Sequence, residues 1–246
     1  MPSWVSHSIV ADKVLERIPH LCPFEFHIGN IAPDCNVPTD DMFDWEPPRK
    51  VMHWMSGDYK QLSDAERFLD NYVKTKKSLS NKEVSFFLGY YTHLITDAEY
   101  RNLTHSPSRL ARMWHRIKTC EGLRERAIGL LGGWEEIDLL FPKRERMKDI
   151  YAIERKYLLK HSDCGYLKYI FSNRDFHPHS FPNYLDYLPD HAIWLKISMM
   201  ADIPLEMKRE FPYMAISEEE YNYYLEVAAK KAAEGIQRYF NSMSAR

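Results

Sequence analysis

Apolar residues recur at steps of three and four over most of the chain, which is the spacing of one face of a helix. The pattern predicts helices over residues 3–18, from Ser63 to about Thr75 with Ser63 as the N-cap, and from about Asn81 to Tyr100. The same spacing and the helix-start signals predict later helices that begin at Ser106-Pro107, cover Lys143–Lys160, run from Tyr184 to Met200 with an interruption near Pro189, and begin at Ser217. Alternating strand patterns are absent from the sequence. We therefore predict an all-α fold, as one multi-helix domain over residues 1–246.

One segment between the first two predicted helices, residues 22–50, has no clear helical period. It reads CPFEFHIGNIAPDCNVPTDDMFDWEPPRK, and its many Pro, Gly, Asp and Asn residues predict a loop of about 30 residues. Loops of this length in a compact domain are uncommon and often functional. We expect Met42, Phe43 and Trp45 to pack this loop onto the domain; the alternative is that they form an apolar rim around a cleft.

Two ionisable residues lie in the most apolar of the predicted helices. The stretch FFLGYYTHLITDAEY is apolar nearly all round, which is typical of a central, buried helix, yet it carries His93 and Asp97 at i and i+4. Burying a carboxylate costs free energy unless its charge is compensated. A divalent cation would neutralise the charge of Asp97 and bind the lone pair of His93. The alternative is that Asp97 forms an ion pair with an arginine such as Arg101.

Three further residues complete a candidate set of metal ligands. His7 lies on the apolar stripe of the first helix, Asp34 follows Gly29 and Pro33 in the segment GNIAPDC, and His53 has apolar neighbours on both sides. Three histidines and two aspartates suit zinc, manganese or iron. They fit two ions that share a bridging carboxylate, with open positions for water, better than one closed tetrahedral site. For each histidine taken alone, a structural role is the alternative.

Composition and charge narrow the class of protein. Hydrophobic residues make up 45% of the chain and aromatic residues 14%, which is a globular composition. The formal net charge of -2 lacks the basic excess of a nucleic-acid-binding protein, so we do not expect a nucleic-acid partner. The four cysteines are scattered without paired spacing, which predicts reduced thiols and no cysteine metal site.

The same sequence carries no sign of a membrane or secretory segment. No apolar run reaches the length of about 18 residues that a membrane-spanning helix needs, so we expect no membrane span. The first residues, MPSWVSHSIVADK, lack a basic start and a continuous apolar stretch, so we expect no signal peptide. Together with the reduced thiols, these features predict a cytoplasmic protein.

Four motifs resemble one known family in their order and spacing. They are PSWVSH near the start, GNIAPD, the pair HW at residues 53–54, and FFLGYYTHLITD over residues 86–97. Together they are similar to the zinc-dependent phospholipase C family, which belongs with the S1/P1-type nucleases in an all-helical, multi-zinc fold. The resemblance extends from the start of the chain to about residue 105.

The resemblance implies both a reaction and the residues that carry it. It implies that His7, His53, His93 and Asp97 are zinc ligands, with Asp97 bridging, and that Asp34 is a ligand or the general base. The expected cofactor is zinc, as two ions, or another divalent metal. The implied activity is hydrolysis of a small-molecule or lipid phosphate ester by metal-activated water.

The sequence departs from the family pattern in two places. Secreted members use a processed N-terminal tryptophan whose amine and carbonyl bind metal, whereas Trp4 is internal, so that ligand pair is missing here. The family's third zinc uses a histidine soon after the helix and a later HxxxE, and no HxxxE occurs in this sequence. His105 lies in the right region, and the other candidates for such a site are His115, His161, His177 and His179.

Two other functions stay open at this point. Asp190-His191 reverses the His-Asp order of the HD phosphohydrolases, so an HD-type nucleotide phosphohydrolase is one alternative. A non-catalytic helical scaffold that a metal stabilises is the other. Arg49 and Lys50 are candidates to contact a phosphate, or are simply solvated. The sequence does not determine the physiological substrate, the native metal or the oligomeric state.

Overall fold

The computed structural model describes residues 2–39, 41, 43–56, 63–76, 78–175, 181–211 and 213–244, and it is 68% helical. The α-helices are α1 (Trp4–Arg17), α2 (Pro23–Ile31), α3 (Arg49–Met52), α4 (Ala65–Leu69), α5 (Asn81–His105), α6 (Pro107–Thr119), α7 (Glu121–Arg124), α8 (Trp134–Leu140), α9 (Lys143–Lys160), α10 (Ala192–Met200) and α11 (Glu218–Ser244). Short 3-10 turns cover Ala32–Asp34, Glu125–Ala127 and Phe171–Asn173, and π-helical turns cover Asp70–Lys74 and Tyr166–Ile170. Two two-residue strands, β1 (Val37–Pro38) and β2 (Trp45–Glu46), pair antiparallel. The prediction of an all-α fold is confirmed.

Capping side chains set the starts of several helices where the sequence predicts them. The Ser3 hydroxyl accepts a hydrogen bond from the Ser6 N–H at 3.1 Å and caps α1, and Ser106 caps α6 in the same way. At the start of α11, Ser217 and Glu220 form the predicted capping box, because each side chain accepts the backbone N–H of the other. These residues satisfy N–H groups that the first turn of a helix leaves unpaired.

The predicted loop over residues 22–50 is wrong in its first part, because Pro23–Ile31 forms α2. Pro23 occupies the first turn of the helix and Glu25 lies beside it, which are both features of a helix start. Every residue from Glu25 to Ile31 is buried, so α2 has no exposed polar face. A periodicity argument depends on such a face, and it therefore misses a short helix that is surrounded by protein.

Two helix boundaries near the site also differ from the predictions. Asp64, and not Ser63, caps α4, since the Asp64 carboxylate accepts the Arg67 N–H at 3.0 Å. The helix predicted to end near Tyr100 continues to His105. An aspartate directly before the first helical turn competes well with the serine that precedes it, because both are strong N-caps.

The helix predicted from Tyr184 begins only at Ala192, as α10. Asn183 folds the residues that follow it into a turn, because its side chain donates to the Leu188 carbonyl at 2.8 Å. Pro189 comes directly afterwards and disfavours a helical conformation at Leu188. The apolar residues of this stretch therefore pack as part of a turn and not as one face of a helix.

The chain forms two compact units. The first comprises Met1–Glu99, Ser162–Asp202 and Leu225–Arg246, and the second comprises Tyr100–His161 and Ile203–Tyr224. The helices α5 and α11 contribute residues to both units. The single domain over residues 1–246 stays a prediction. None of the helices in the described part of the chain is long and apolar enough to cross a membrane.

In the first unit, α2 and α5 pack with their backbones in direct contact. A Cβ atom on Gly29 would clash with the Phe86 carbonyl, and one on Gly89 would clash with the Phe26 carbonyl. Only glycine permits so close an approach. Asn30 adds a hydrogen bond across the contact, from its side-chain amide to the Gly89 carbonyl at 3.2 Å. This contact fixes α2 against the middle of α5.

The second unit has an apolar core of its own. Its buried residues come mainly from α6 to α8 and are Met113, Trp114, Ile117, Leu123, Ala127, Ile137, Leu140, Phe141, Met214 and Ala215. The buried Asp149 carboxylate ties a loop to α9, since it accepts the backbone N–H groups of Tyr213 at 2.7 Å and Ala215 at 2.9 Å. These hydrogen bonds satisfy a charge that the core could not otherwise hold.

A candidate metal centre

The five residues predicted as ligands come from four elements of the first unit. His7 lies on α1, Asp34 ends the 3-10 turn that follows α2, His53 caps the C-terminus of α3, and His93 and Asp97 lie on α5. The three histidines are buried and the two aspartates are nearly so. The fold brings all five side chains into one cluster, although they are far apart along the chain.

The imidazole of His93 is oriented by α2. Its Nδ1 lies 2.7 Å from the backbone oxygen of Asn30, and because a carbonyl only accepts, Nδ1 carries the ring proton and Nε2 keeps its lone pair. That Nε2 lies 3.8 Å from Oδ2 of Asp97 and has no hydrogen-bond partner among the described residues. Burial lowers the pKa of His93, although the nearby Asp34 carboxylate acts in the opposite direction. The ring is therefore neutral and presents a lone pair to the cluster.

The imidazole of His53 is oriented in the same manner by α3. Its Nδ1 lies 3.3 Å from the Arg49 carbonyl one turn earlier, which leaves Nε2 facing the two carboxylates. Nε2 lies 3.3 Å from Oδ1 of Asp34 and 3.5 Å from Oδ2 of Asp97, without hydrogen-bond geometry to any partner that the structure describes. An imidazole nitrogen that faces two carboxylates is placed to share a bound cation with them.

The imidazole of His7 stacks parallel on that of His93, with ring centroids 3.9 Å apart. Neither ring nitrogen of His7 has a hydrogen-bond partner within the described ranges, and Nε2 lies 3.7 Å from Oδ1 of Asp97. Burial and the neighbouring His93 ring lower the pKa of His7, because two stacked cations would repel each other. A buried imidazole without a hydrogen bond costs about 1–3 kcal/mol, a cost that a bound cation would remove.

Asp97 is the neighbour common to all three histidines. Burial, joined by the Asp34 carboxylate, raises the pKa of Asp97 to about 6, although nearby cationic groups act in the opposite direction. One of these groups is Arg49, whose Nη2 lies 3.7 Å from Oδ2 of Asp97. Arg49, and not Arg101, is therefore the arginine at ion-pair distance from Asp97 among the residues described.

Asp34 is held between an indole and an imidazole. Trp4 Nε1 donates to Oδ2 of Asp34 at 3.1 Å, and Oδ1 faces His53. Burial by itself would raise the pKa of the Asp34 carboxyl, but the contact with His53 and the charge that the three imidazoles carry when they are protonated outweigh it and hold that pKa well below its ordinary value. Asp34 is therefore ionised at neutral pH.

These donor atoms fit a divalent metal. Two overlapping groups, one of His7, His93 and Asp97 and one of Asp34, His53 and His93, each hold their potential ligand atoms within 4.8 Å of one another. Neutral imidazole nitrogens and carboxylate oxygens are the ligands that zinc and related metals take in proteins. The role of each of the five residues as a ligand stays a prediction.

The candidates for a third site lie elsewhere. His105, His115 and His161 are exposed, and none of them belongs to a candidate metal group in the part of the chain that the structure describes. His177 and His179 lie outside the described residues. Asp190 and His191, on which the HD-type alternative depends, are exposed and belong to neither of the two groups. The structure therefore adds no support to that alternative.

Supporting residues were missed by reasoning from the sequence. The family pattern draws attention to Trp4 only for a missing ligand pair, whereas its indole orients Asp34, which lies 30 residues later. The Asn30 carbonyl orients His93, 63 residues later. The spacing of Arg49 and His53 could have signalled their contact, since residues at i and i+4 are neighbours on a helix. No sequence pattern signals contacts as distant as the first two.

The apolar residues of the predicted loop do not all pack on the domain. Phe43 is 87% exposed, so the expectation that it packs is wrong. Trp45 is 43% exposed, and Lys196 covers part of its ring, with Nζ 3.7 Å from the ring centroid. Met42 lies outside the described residues. The alternative, an apolar rim around a cleft, therefore stays open for Phe43 and Trp45.

The fold and this cluster define a class: an all-helical protein with a buried histidine–aspartate site suited to metal. The chain belongs to the zinc-dependent phospholipase C family, because the family model described as zinc dependent phospholipase C matches residues 4–126, half of its length. All five clustered residues lie within the matched range. No curated protein and no solved structure matches the chain. Membership confirms the resemblance and indicates a metal-dependent hydrolase.

Proposed function

We propose that the protein hydrolyses a phosphate ester with two zinc ions. His7, His53, His93 and Asp97 hold these ions, and Asp34 is either a further ligand or the base that acts on the water. The family description supports a zinc-dependent hydrolase in general terms. The number of ions, the role of each ligand and the substrate are our proposals. The other divalent metals that take the same donors, manganese and iron, are candidates for the same positions.

One observation carries the proposal: several of the atoms that converge in the cluster have no hydrogen-bond partner among the residues that the structure describes. Nε2 of His7, His53 and His93 and Oδ1 of Asp97 are all buried and lack a hydrogen bond to any residue that the structure describes. Buried polar atoms in proteins nearly always have partners, so several unpaired atoms in one place point to a bound group. Asp97 lies at the centre of the cluster and suits a bridging position.

Bound zinc supplies Lewis acidity, which makes water a stronger acid and polarises a phosphoryl oxygen. The protein's own task is to place the water. Asp34 is suited to place the water, because the Asp34 carboxylate is ionised at neutral pH and Trp4 fixes one of the two carboxylate oxygens. The other oxygen can accept a hydrogen bond from the attacking water and aim it at phosphorus.

Arg49 suits the binding of the phosphate itself. Its side chain is 35% exposed, and its guanidinium lies beside Asp97. Guanidinium groups bind phosphate oxygens with two parallel hydrogen bonds, and they stay charged over the whole physiological range. We propose that Arg49 contacts a non-bridging oxygen of the substrate.

The proposed substrate class is a small-molecule or lipid phosphate ester. The family description supports a phospholipid. The exposed rings of Phe43 and Trp45 lie 9 and 11 residues after Asp34 in the chain and offer apolar surface for acyl or alkyl chains. A water-soluble diester with a small head group satisfies the same metal and cation contacts.

Metal analysis and turnover test the proposal together. The purified protein should contain about two zinc ions per chain and hydrolyse p-nitrophenyl phosphorylcholine or bis-p-nitrophenyl phosphate. Asp34→Asn should keep most of the metal and lower the rate by about 100-fold, since orientation of the water is lost. Asp44→Asn, at an exposed aspartate of the same segment, is the matched control and should retain full activity.

Three results would count against the proposal. One tightly held metal without turnover would favour the scaffold, and selective cleavage of nucleoside phosphates would favour the HD-type enzyme. Equal activity in Asp34→Asn and the wild type would remove Asp34 from the mechanism and leave the metal site standing.

A further inference from the structure

The two neighbours of His53 in the chain are joined by a series of hydrogen bonds through two tyrosines. Trp54 Nε1 donates to the hydroxyl of Tyr187 at 3.4 Å, and Tyr187 donates to the hydroxyl of Tyr90 at 2.9 Å. Tyr90 donates in turn to the backbone oxygen of Met52. The series therefore begins directly after His53 and ends directly before it.

The local backbone alone holds His53 weakly. The helix α3 has 4 residues, and helices this short are not stable by themselves. Trp54 has a φ of +50°, in the left-handed region that residues other than glycine seldom adopt. A backbone of this kind keeps its conformation only where surrounding groups enforce it.

Tyr90 connects this backbone to the helix that carries the other ligands. It is fully buried on α5, one turn before His93, and its ring stacks on Phe68 with centroids 4.2 Å apart. Burial raises the pKa of both Tyr90 and Tyr187, so both phenols keep the protons that they donate. The bond from Tyr90 to the Met52 carbonyl therefore spans from α5 to the residue before His53.

We infer that Tyr90 and Tyr187 are positioning residues, which hold His53 in place relative to His93 and Asp97 in the metal centre. The inference rests on the proposed function, because it assumes that His53 binds metal. Residues that orient a ligand from outside the metal centre change metal affinity by about 10- to 100-fold when removed. Tyr187 lies 97 residues after Tyr90, so a distant segment contributes to this orientation.

Tyrosine-to-phenylalanine variants test the inference, because they remove one hydroxyl and keep the ring. We would titrate the metal-free, full-length chain with Co²⁺ alone and follow the visible absorption band, which depends on ligand number and geometry. Tyr90→Phe should bind Co²⁺ about 10-fold or more weakly and change the band, and Tyr187→Phe should shift both in the same direction. The double variant should equal Tyr90→Phe, since both hydroxyls act in one series.

Tyr91→Phe is the matched control. Tyr91 is buried on the same helix, and its hydroxyl donates to Glu66 Oε1 at 3.1 Å, away from His53. Tyr91→Phe should lose about as much stability as Tyr90→Phe. It should keep the Co²⁺ affinity and the absorption band of the wild type. If Tyr90→Phe does not fold, the less buried Tyr187→Phe carries the comparison with Tyr91→Phe.

The outcomes separate this inference from the function beneath it. Equal Co²⁺ affinity and an unchanged band in Tyr90→Phe and Tyr187→Phe would overturn the positioning role and leave the metal site intact. Equal losses in Tyr91→Phe and Tyr90→Phe would overturn it as well, since the effect would then be general destabilisation. No uptake of Co²⁺ by the wild type would overturn both proposals.

Discussion

Asp97 has opposite consequences for stability and for metal binding. Without metal it is a buried carboxylate beside a second carboxylate, and its raised pKa shows that the folded protein disfavours its charged form. With metal, the same charge becomes the attraction that holds the ion. Conflicts of this kind between stability and local chemistry are typical of functional sites.

Asp97→Asn should remove most of the bound zinc. The amide keeps the shape of the side chain and removes the charge that the three histidines share. We expect metal content per chain, measured by elemental analysis, to fall sharply. Asp12→Asn is the matched control, because Asp12 also contacts a buried imidazole, with Oδ1 3.0 Å from Nε2 of His27, and lies outside both metal groups. Unchanged zinc in Asp97→Asn would exclude Asp97 as a ligand.

Asp97 should also make the stability of the metal-free protein depend on pH, and comparison with Asp97→Asn measures that dependence. The pKa of Asp97 is about 6 in the folded state and near the ordinary value of 3.8 in the unfolded chain. Between these values the folded state binds more protons, so Asp97 lowers stability as the pH rises from about 4 to 6. Asp97→Asn should therefore gain stability relative to the wild type over this window, by on the order of 2 kcal/mol. Urea unfolding with a chelator present measures the difference, and parallel pH curves for the two proteins would contradict it.

At the scale of elements, the site depends on how closely α2 and α5 approach. Asn30 and the turn that carries Asp34 belong to the α2 side, whereas His93 and Asp97 belong to α5. The glycines between these helices set the distance from the Asn30 carbonyl to His93. Helix packing in this unit is therefore part of the ligand geometry.

Gly89→Ala should separate these two helices. Its Cβ would collide with the Phe26 carbonyl, and backbone cannot yield as a flexible side chain can. We expect a loss of about 3 kcal/mol or more in the free energy of unfolding, together with weaker zinc binding. Gly133→Ala is the control, because a Cβ there meets nothing within 4 Å, and it should change stability by less than about 0.5 kcal/mol. A variant of Gly89 as stable as the wild type would show that the contact can relax.

At the scale of the whole molecule, zinc binding should show whether the two compact units unfold together. All five clustered residues lie in the first unit, yet α5 and α11 each contribute to both. Zinc at 100 times its dissociation constant stabilises the folded state by about 2.7 kcal/mol. Whether that gain extends over the chain depends on whether the chain unfolds as one cooperative domain, as the sequence predicts.

Hydrogen exchange with zinc or with a chelator measures this extent. For a single domain, zinc should raise the protection of core amides equally in both units, for example at Val10 and Leu88 in the first and at Ile117 and Ile153 in the second. Asp97→Asn should abolish the increase everywhere, because no metal binds. An increase confined to the first unit would contradict the prediction of a single domain.

The sequence by itself determined the helical class, several helix starts and the residue types that converge, because periodicity and capping act over a few residues. It predicted all of His7, Asp34, His53, His93 and Asp97 without showing their contacts. The resemblance also identified the family from local sequence, because the short motifs that carry it have the order and spacing of that family.

Only the tertiary structure decided which atoms of those residues face one another. The helix α2 is surrounded by protein, so no polar face marked it in the sequence. The Asn30 carbonyl selects the free nitrogen of His93, Trp4 orients Asp34, and Tyr187 acts on the backbone around His53. Each of these contacts joins residues that are distant along the chain, and packing of whole helices, not local sequence, sets such distances.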